Sequence, residues 1–224
     1  MMVMSCRPRR TGGLTAAGFS AIAQLALFFS VALPGHASAN QEAVINQLIE
    51  KQKEIKTLSA DFSQEKHSAM LTAPLVSKGQ FTYKAPDKVA WIYTGQIQIV
   101  SDGKTLTIYY PEIEEAQVLP VQKSMISLPL NFNLEEFRRS FDLTAVEKGG
   151  LYRVSLAPIR EKSMFARMVI TLTPEGIPQS VEIVEKGGDR SIIAFKNQKV
   201  NKRVSEKIFS LDLPKGTVIR RYQE

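Results

Sequence analysis

One cysteine, Cys6, in a chain of 224 residues excludes an intrachain disulfide and any zinc or iron–sulfur site built from several thiolates. Histidine is almost as scarce: besides His36 there is only His67, inside Glu65-Lys66-His67-Ser68, the setting of a solvated strand or loop residue rather than a catalytic base. No H-E-x-x-H, Walker-type loop, G-x-S-x-G or G-x-G-x-x-G occurs. Paired acids stand at Glu114-Glu115 and Glu135-Glu136, but neighbouring strand residues face opposite ways, and the second pair is accounted for by helix capping. Enzyme chemistry, a metal site and a cofactor site are therefore not expected. Long charge runs, low-complexity tracts and internal repeats are also missing, so nothing marks a linker.

Acidic residues are absent from the first 39 positions, and that absence has a pattern. Arg7, Arg9 and Arg10 are followed by an apolar stretch from about Leu14 to Leu33, then by Pro34-Gly35 and the small-residue signature Ala37-Ser38-Ala39. A basic start, a short apolar middle and an A-x-A exit describe a secretory signal peptide. A membrane anchor is the competing reading, but Gly18, Ser20 and Gln24 interrupt the span. The residues after Arg9-Arg10 fit twin-arginine export poorly, and Cys6 lies ahead of the apolar region without lipid-attachment context. The expectation is a leader over residues 1–39 and one exported, soluble domain over 40–224. The leader takes with it three of the 29 basic residues and none of the 22 acidic ones, which lowers the net charge from +7 to +4.

That remaining charge argues little for nucleic acid. Lys199, Lys202, Arg203 and Lys207 form a basic run, as do Arg220 and Arg221, yet no stacking aromatics sit among them. A brief encounter with an anionic membrane surface or an acidic partner suits them better.

What the chain does have is 44% apolar residues arranged in two periods. Residues 41–58 carry Val44, Ile45, Leu48, Ile49, Ile55 and Leu58 at three- and four-residue spacing, which predicts an amphipathic helix. Thereafter the period is two. Phe81 and Tyr83, then Val89, Trp91 and Tyr93, then Ile97 and Ile99 in Gln96-Ile97-Gln98-Ile99, then Leu106, Ile108 and Tyr110 alternate with polar neighbours around an Asp102-Gly103 turn. Tyr152, Val154 and Leu156, then Met168, Ile170 and Leu172, Val181 and Ile183, and Ile192, Ile193 and Phe195 repeat the style, with turns at Pro174-Glu175-Gly176 and Gly187-Gly188-Asp189. Without long intervening helices, these strands make one strongly bent antiparallel sheet.

Between the halves, Asn133 with Glu136 three residues later predicts a capped short helix, whose apolar face is Leu134, Phe137 and Phe141. A greasy loop, Met125 to Phe132, precedes it. Inward stripes under two helices are compatible with either a filled core or a lipid pocket.

Five motifs in order bear on that choice: Leu58-Ser59-Ala60-Asp61-Phe62-Ser63-Gln64, Gly79-Gln80-Phe81, Pro86-Asp87-Lys88-Val89-Ala90-Trp91, Ser101-Asp102-Gly103, and Phe209 to Val218 with Pro214-Lys215-Gly216. Together they resemble the LolA family of periplasmic outer-membrane lipoprotein carriers over nearly the whole exported chain. The resemblance implies a mainly β fold with α elements: an incomplete, open antiparallel barrel covered by an N-terminal helix and a short mid-chain lid helix. It implies a cavity for acyl chains lined by Phe62, Phe81, Tyr83, Val89, Trp91, Tyr93, Ile97 and Ile99, under a lid carrying Leu128, Leu130, Phe132, Leu134, Phe137 and Phe141. It further implies a periplasmic monomer that takes lipoprotein acyl chains from an inner-membrane releasing transporter to an outer-membrane acceptor. In the family, the residue before the strand's Pro is commonly an Arg that holds the lid and serves release; here it is Ala85, beside Lys84. A carrier of another envelope lipid or glycolipid is the alternative, and a structural envelope protein with a filled core is the third reading.

Overall fold

Alternating side chains dominate because just over half of the described residues lie in strands. The computed structural model describes residues 35–121, 132–160 and 163–222, with side chains of the first helix from Asn40 onward. Among the described residues twelve strands follow one another: β1 (Thr57–His67), β2 (Leu75–Lys84), β3 (Lys88–Tyr93), β4 (Gln98–Ser101), β5 (Thr105–Tyr110), β6 (Glu115–Pro120), β7 (Phe141–Lys148), β8 (Leu151–Pro158), β9 (Phe165–Leu172), β10 (Pro178–Glu185), β11 (Arg190–Val200) and β12 (Val218–Arg221). They form a single sheet in the order β12-β6-β5-β4-β3-β2-β1-β11-β10-β9-β8-β7. Every pairing is antiparallel except the last strand, β12, which runs parallel to β6. Because β7 and β12 are both edges, the sheet curls without closing: the alternation pattern implies the bent sheet, and the family resemblance its incomplete, open barrel form.

Curling needs local devices. Pairing of β1 with β11 shifts between Ser59 and Asp61, and Asn197 stands opposite with φ of 55° while its amide donates to Asp61 Oδ2 at 2.8 Å. An extra residue in one strand raises the local twist and bends the sheet there. At Gly79 the reason for glycine is space: a Cβ would lie 2.2 Å from the Ile92 carbonyl oxygen and 2.7 Å from the Phe62 ring. The G-x-F motif thus lets β2 and β3 approach while Phe62 lies across them.

Two helices cover the concave side. Helix α1 (Gly35–Lys53) buries Ile45, Leu48 and Ile49 at i, i+3 and i+4, and packs against β7 and the second helix. It ends five residues earlier than the predicted 41–58 helix. Ile55 and Leu58 are buried as expected, but from the connecting turn and from β1. The helix cannot continue because Asn201 Oδ1 accepts from the backbone N–H of Lys56 and Thr57, which draws the chain into the sheet. Helix α2 (Leu134–Phe137) is one turn, capped as predicted: Asn133 Oδ1 accepts from the N–H of Glu135 and Glu136. It stops before Phe141, which opens β7 and pairs with Pro158. Leu128 and Leu130 lie outside the described residues.

The convex side has its own small core. Ala90, Val100 and Phe209 are buried together there with Ile92, Val204 and Leu211 packed around them. A 3-10 turn, Glu206–Phe209, is pinned to the β2–β3 corner by Glu206, which pairs with Lys84 and, at 2.9 Å, with Lys88. The two Lys hold the Glu206 carboxyl well below its ordinary range, down to about 2.

Candidate functional site

Strand alternation sends Phe62 from β1, Phe81 from β2, Trp91 from β3 and Phe195 from β11 to the concave face, where all four are buried. Phe132, from the segment leading into α2, drops onto them from the helix side. Its ring centroid lies 5.3 Å from Phe81, 5.2 Å from Phe195 and 6.1 Å from Trp91, all edge-on. Trp91 in turn lies 4.6 Å from Phe81 and 5.0 Å from Phe62. Tilted and edge-to-face rings at these separations attract one another beyond the area they bury. The middle of the barrel is therefore filled, and Phe132 is its top piece.

Of the sequence-derived cavity set, Phe62, Phe81, Val89 and Trp91 belong to this buried cluster, and Tyr83, Tyr93 and Ile99 pack against it partly buried. Ile97 is half-buried in the β3–β4 turn rather than in a strand, its carbonyl accepting from the Tyr93 N–H at 3.0 Å. Among the lid set, Phe132, Leu134 and Phe137 are buried, and Phe141 stacks edge-on against Phe137 at 6.0 Å. The F-x-Q spacing gains a meaning as well. Gln64 shares Phe62's face and accepts the Tyr93 hydroxyl at 2.6 Å, while burial pushes that hydroxyl's pKa up to about 12. Tyr83 is likewise raised by burial and donates to the Pro86 carbonyl at 3.2 Å. Both phenols stay neutral, so the concave side presents apolar rings and satisfied hydroxyls.

A cavity of about 280 Å³ opens beside Phe132, between the end of α1, the start of β1 and the β2–β3 corner. Ile49, Leu58, Phe81, Tyr83 and Phe132 form its apolar wall, with Ala85 and Pro86 at the corner. Lys84, engaged with Glu206 on the convex side, does not reach it. The residue that spans the cavity roof is Gln52. Its Nε2 donates to the Phe132 carbonyl at 2.8 Å and more loosely to the Gly176 carbonyl at 3.4 Å, while its Oε1 accepts from the Leu134 N–H at 3.0 Å. One neutral amide thus grips the backbone on both sides of Asn133. Gly176 leaves room for it, since a Cβ there would stand 2.9 Å from Gln52 Cγ, on a backbone with φ of 77°. Farther along, Arg138 reaches Glu42 and Asn46 of α1, each at 3.0 Å, and Lys53 faces Glu135 at 3.5 Å. Sequence reasoning missed Phe195 and Gln52 as site residues. Phe195 was visible as a strand residue, whereas nothing in the sequence links Gln52 to backbone groups 80 residues away.

Among the described residues no cluster of His, Cys, Asp or Glu could hold a metal ion, and no helix is long and apolar enough to cross a membrane.

An open, curled, mostly antiparallel sheet with an aromatic interior, roofed by a long helix and a one-turn helix fastened to it, defines a class of helix-covered open-barrel folds. The chain belongs to the family described as Outer membrane lipoprotein carrier protein LolA, whose profile matches residues 53–212. An outer-membrane lipoprotein carrier protein of Pseudomonas putida (strain W619) is 28% identical over 193 residues, covering 84% of this chain and 89% of that protein. Its counterpart in Pseudomonas fluorescens (strain Pf0-1) is 29% identical over 189 residues, covering 82% and 90%. A crystal structure of an uncharacterized conserved protein from Thermus thermophilus matches with a TM-score of 0.52 at 11% identity, covering 82% of this chain and 99% of that one, a likeness of fold alone.

Proposed function

We propose that the chain is an exported, non-enzymatic carrier that shelters the acyl chains of lipoproteins in the space Phe132 occupies and carries them through the periplasm from the inner to the outer membrane. Family membership supports the carrier role, and the observation that carries the site is Phe132 itself: the top of the aromatic cluster hangs from a segment that Gln52 fastens by side-chain-to-backbone bonds.

Magnitudes decide whether such a lid can yield to cargo. The existing cavity, about 280 Å³, is at the floor of the range for small-molecule sites and too small for acyl chains while Phe132 stays in place. Re-exposing a Phe side chain costs about 2–3 kcal/mol. The bonds from Gln52 add about 1 kcal/mol each, so lifting the lid costs roughly 5 kcal/mol. One acyl chain of about fourteen methylenes gains roughly 11 kcal/mol on leaving water, at about 0.8 kcal/mol per methylene. A long acyl chain therefore opens the site and a short one does not. The closure energy returned on release lowers the net grip, which suits handover to an acceptor.

Native mass spectrometry of the protein purified from periplasm tests this reading. A population carrying one lipoprotein supports it. A bound glycolipid or free phospholipid with no lipoprotein adduct replaces the cargo and sinks the assignment.

A further inference from the structure

Met70 is 93% exposed, more than any other large apolar side chain among the described residues, and it does not stand alone. Leu71, Leu75 and Val76, at 43%, 53% and 56%, complete a bare apolar tip on the β1–β2 hairpin. The register locates that tip. Lys66 pairs with Leu75 and His67 with Arg190, so the 68–74 loop projects from the same end of the sheet as the 186–189 turn. The segment ahead of β9 reverses there too, where Met164 and Ile159 are also exposed. The cavity lies at the opposite end, walled by Leu58, Tyr83 and Pro178 from the other termini of β1, β2 and β10.

We propose that this hairpin tip is a membrane-contact element that dips Met70, Leu71, Leu75 and Val76 into the interface of a phospholipid bilayer. The proposal is independent of what the cavity holds.

Three observations carry it. Leu75 and Val76 are consecutive in β2, so they face opposite sides of the sheet, and Met70 stands at the apex. A protrusion bare on its apex and both faces has no groove for a rigid partner to fill, whereas a fluid interface surrounds it on every side. The apex is held in shape by a turn, in which the Leu71 N–H donates to the Ser68 carbonyl at 3.1 Å and the Met70 N–H to Ser68 Oγ at 3.3 Å. The charge also matches. From Lys66 to Lys78 there is no Asp or Glu. Lys66 is engaged by Asp189 at 3.1 Å and by Glu185 at 3.9 Å, and His67 by Glu65 at 2.7 Å. Lys78 is exposed and makes no ion pair among the described residues, which leaves it to face lipid phosphates. With Lys78 as the hairpin's available cation, attraction to anionic lipid is modest and the apolar side chains supply most of the affinity.

Flotation of the periplasm-purified protein with vesicles of phosphatidylethanolamine and phosphatidylglycerol provides the test, with a second readout from a polarity-sensitive dye on Met70→Cys, the exported chain having no other thiol. The protein is expected to float, the dye to shift to the blue, and the double variant Met70→Ser/Leu71→Ser to bind at least about tenfold more weakly. Because both side chains are exposed, the double variant keeps its unfolding midpoint. Lys78→Gln should weaken binding about fivefold on phosphatidylglycerol vesicles and leave binding to pure zwitterionic vesicles unchanged. Failure to float, equal binding by the double variant, or a dye that shifts only on meeting a soluble protein each overturns the proposal.

Discussion

On the proposed reading Gln52, a neutral amide on α1, takes the place of the cationic fastening that the resemblance implies for the residue before Pro86. Ala85 occupies that position, contributes only a methyl to the cavity wall, and leaves Lys84 turned to Glu206. An amide can donate and accept at once, so it grips the Phe132 carbonyl and the Leu134 N–H together, which a guanidinium, having donors alone, cannot do. Gln52→Ala leaves the buried Leu134 N–H without its acceptor and should lower folding stability by about 1–3 kcal/mol. The same loss loosens the closed state, so the affinity for a long-chain acyl probe should rise between about five- and a hundredfold. Fluorescence reads this without assignment, because Trp91 is the chain's only tryptophan and touches Phe132. Lower stability with unchanged acyl affinity would remove Gln52 from the lid's energetics. None of this was legible in the sequence: Gln52 sits on a helix face as an ordinary polar residue, and its partners are main-chain atoms brought near only by the fold.

At the scale of elements, β2, β3 and β5 were legible because their large apolar side chains alternate toward the concave face, although the other face of β3 is covered as well, where Ala90 and Ile92 meet Phe209. α1 was legible in its apolar stripe but not in its end, since Ile55 and Leu58 continue the helical spacing by coincidence while Asn201 pulls the chain into β1. A similar overlap hid β7: Leu134, Phe137 and Phe141 read as one helix face, although Phe141, Leu143 and Ala145 are the inward residues of an edge strand. β12 carried no alternation signal, being exposed along its whole length and held by backbone pairing with β6, and was foreshadowed only by the family-like motif from Phe209 to Val218. The 206–209 turn adds a pH dependence. Glu206 is held at about 2 against an ordinary 4.5, so its attachment to Lys84 and Lys88 is fully present above pH 4.5 and is lost as pH falls toward 2. An NMR titration should place its carboxylate midpoint near 2, with Phe209 and Val204 signals shifting in that same window. A midpoint near 4.5 would mean that the pairing does not form in solution.

For the whole molecule, the open edges matter more than any one contact. A closed barrel with this many inward rings would be a rigid core, but here β7 and β12 stay unpaired to each other and the segment carrying Phe132 is fastened to α1 by side-chain bonds, so the proposed opening requires no strand pair to break. The sequence left filled core and lipid pocket both open; the resting interior is filled, and on the proposed reading its uppermost ring, Phe132, belongs to the element that leaves when cargo enters. Release of a native lipoprotein from inner-membrane vesicles is the most direct test of that account. Incubated with the purified protein and an energised releasing transporter, the vesicles should yield a soluble one-to-one lipoprotein complex, and a photo-cross-linking phenylalanine analogue at position 81 should label its acyl chains. Vesicles that release no lipoprotein, or a complex whose acyl chains label nothing beneath Phe132, would contradict it.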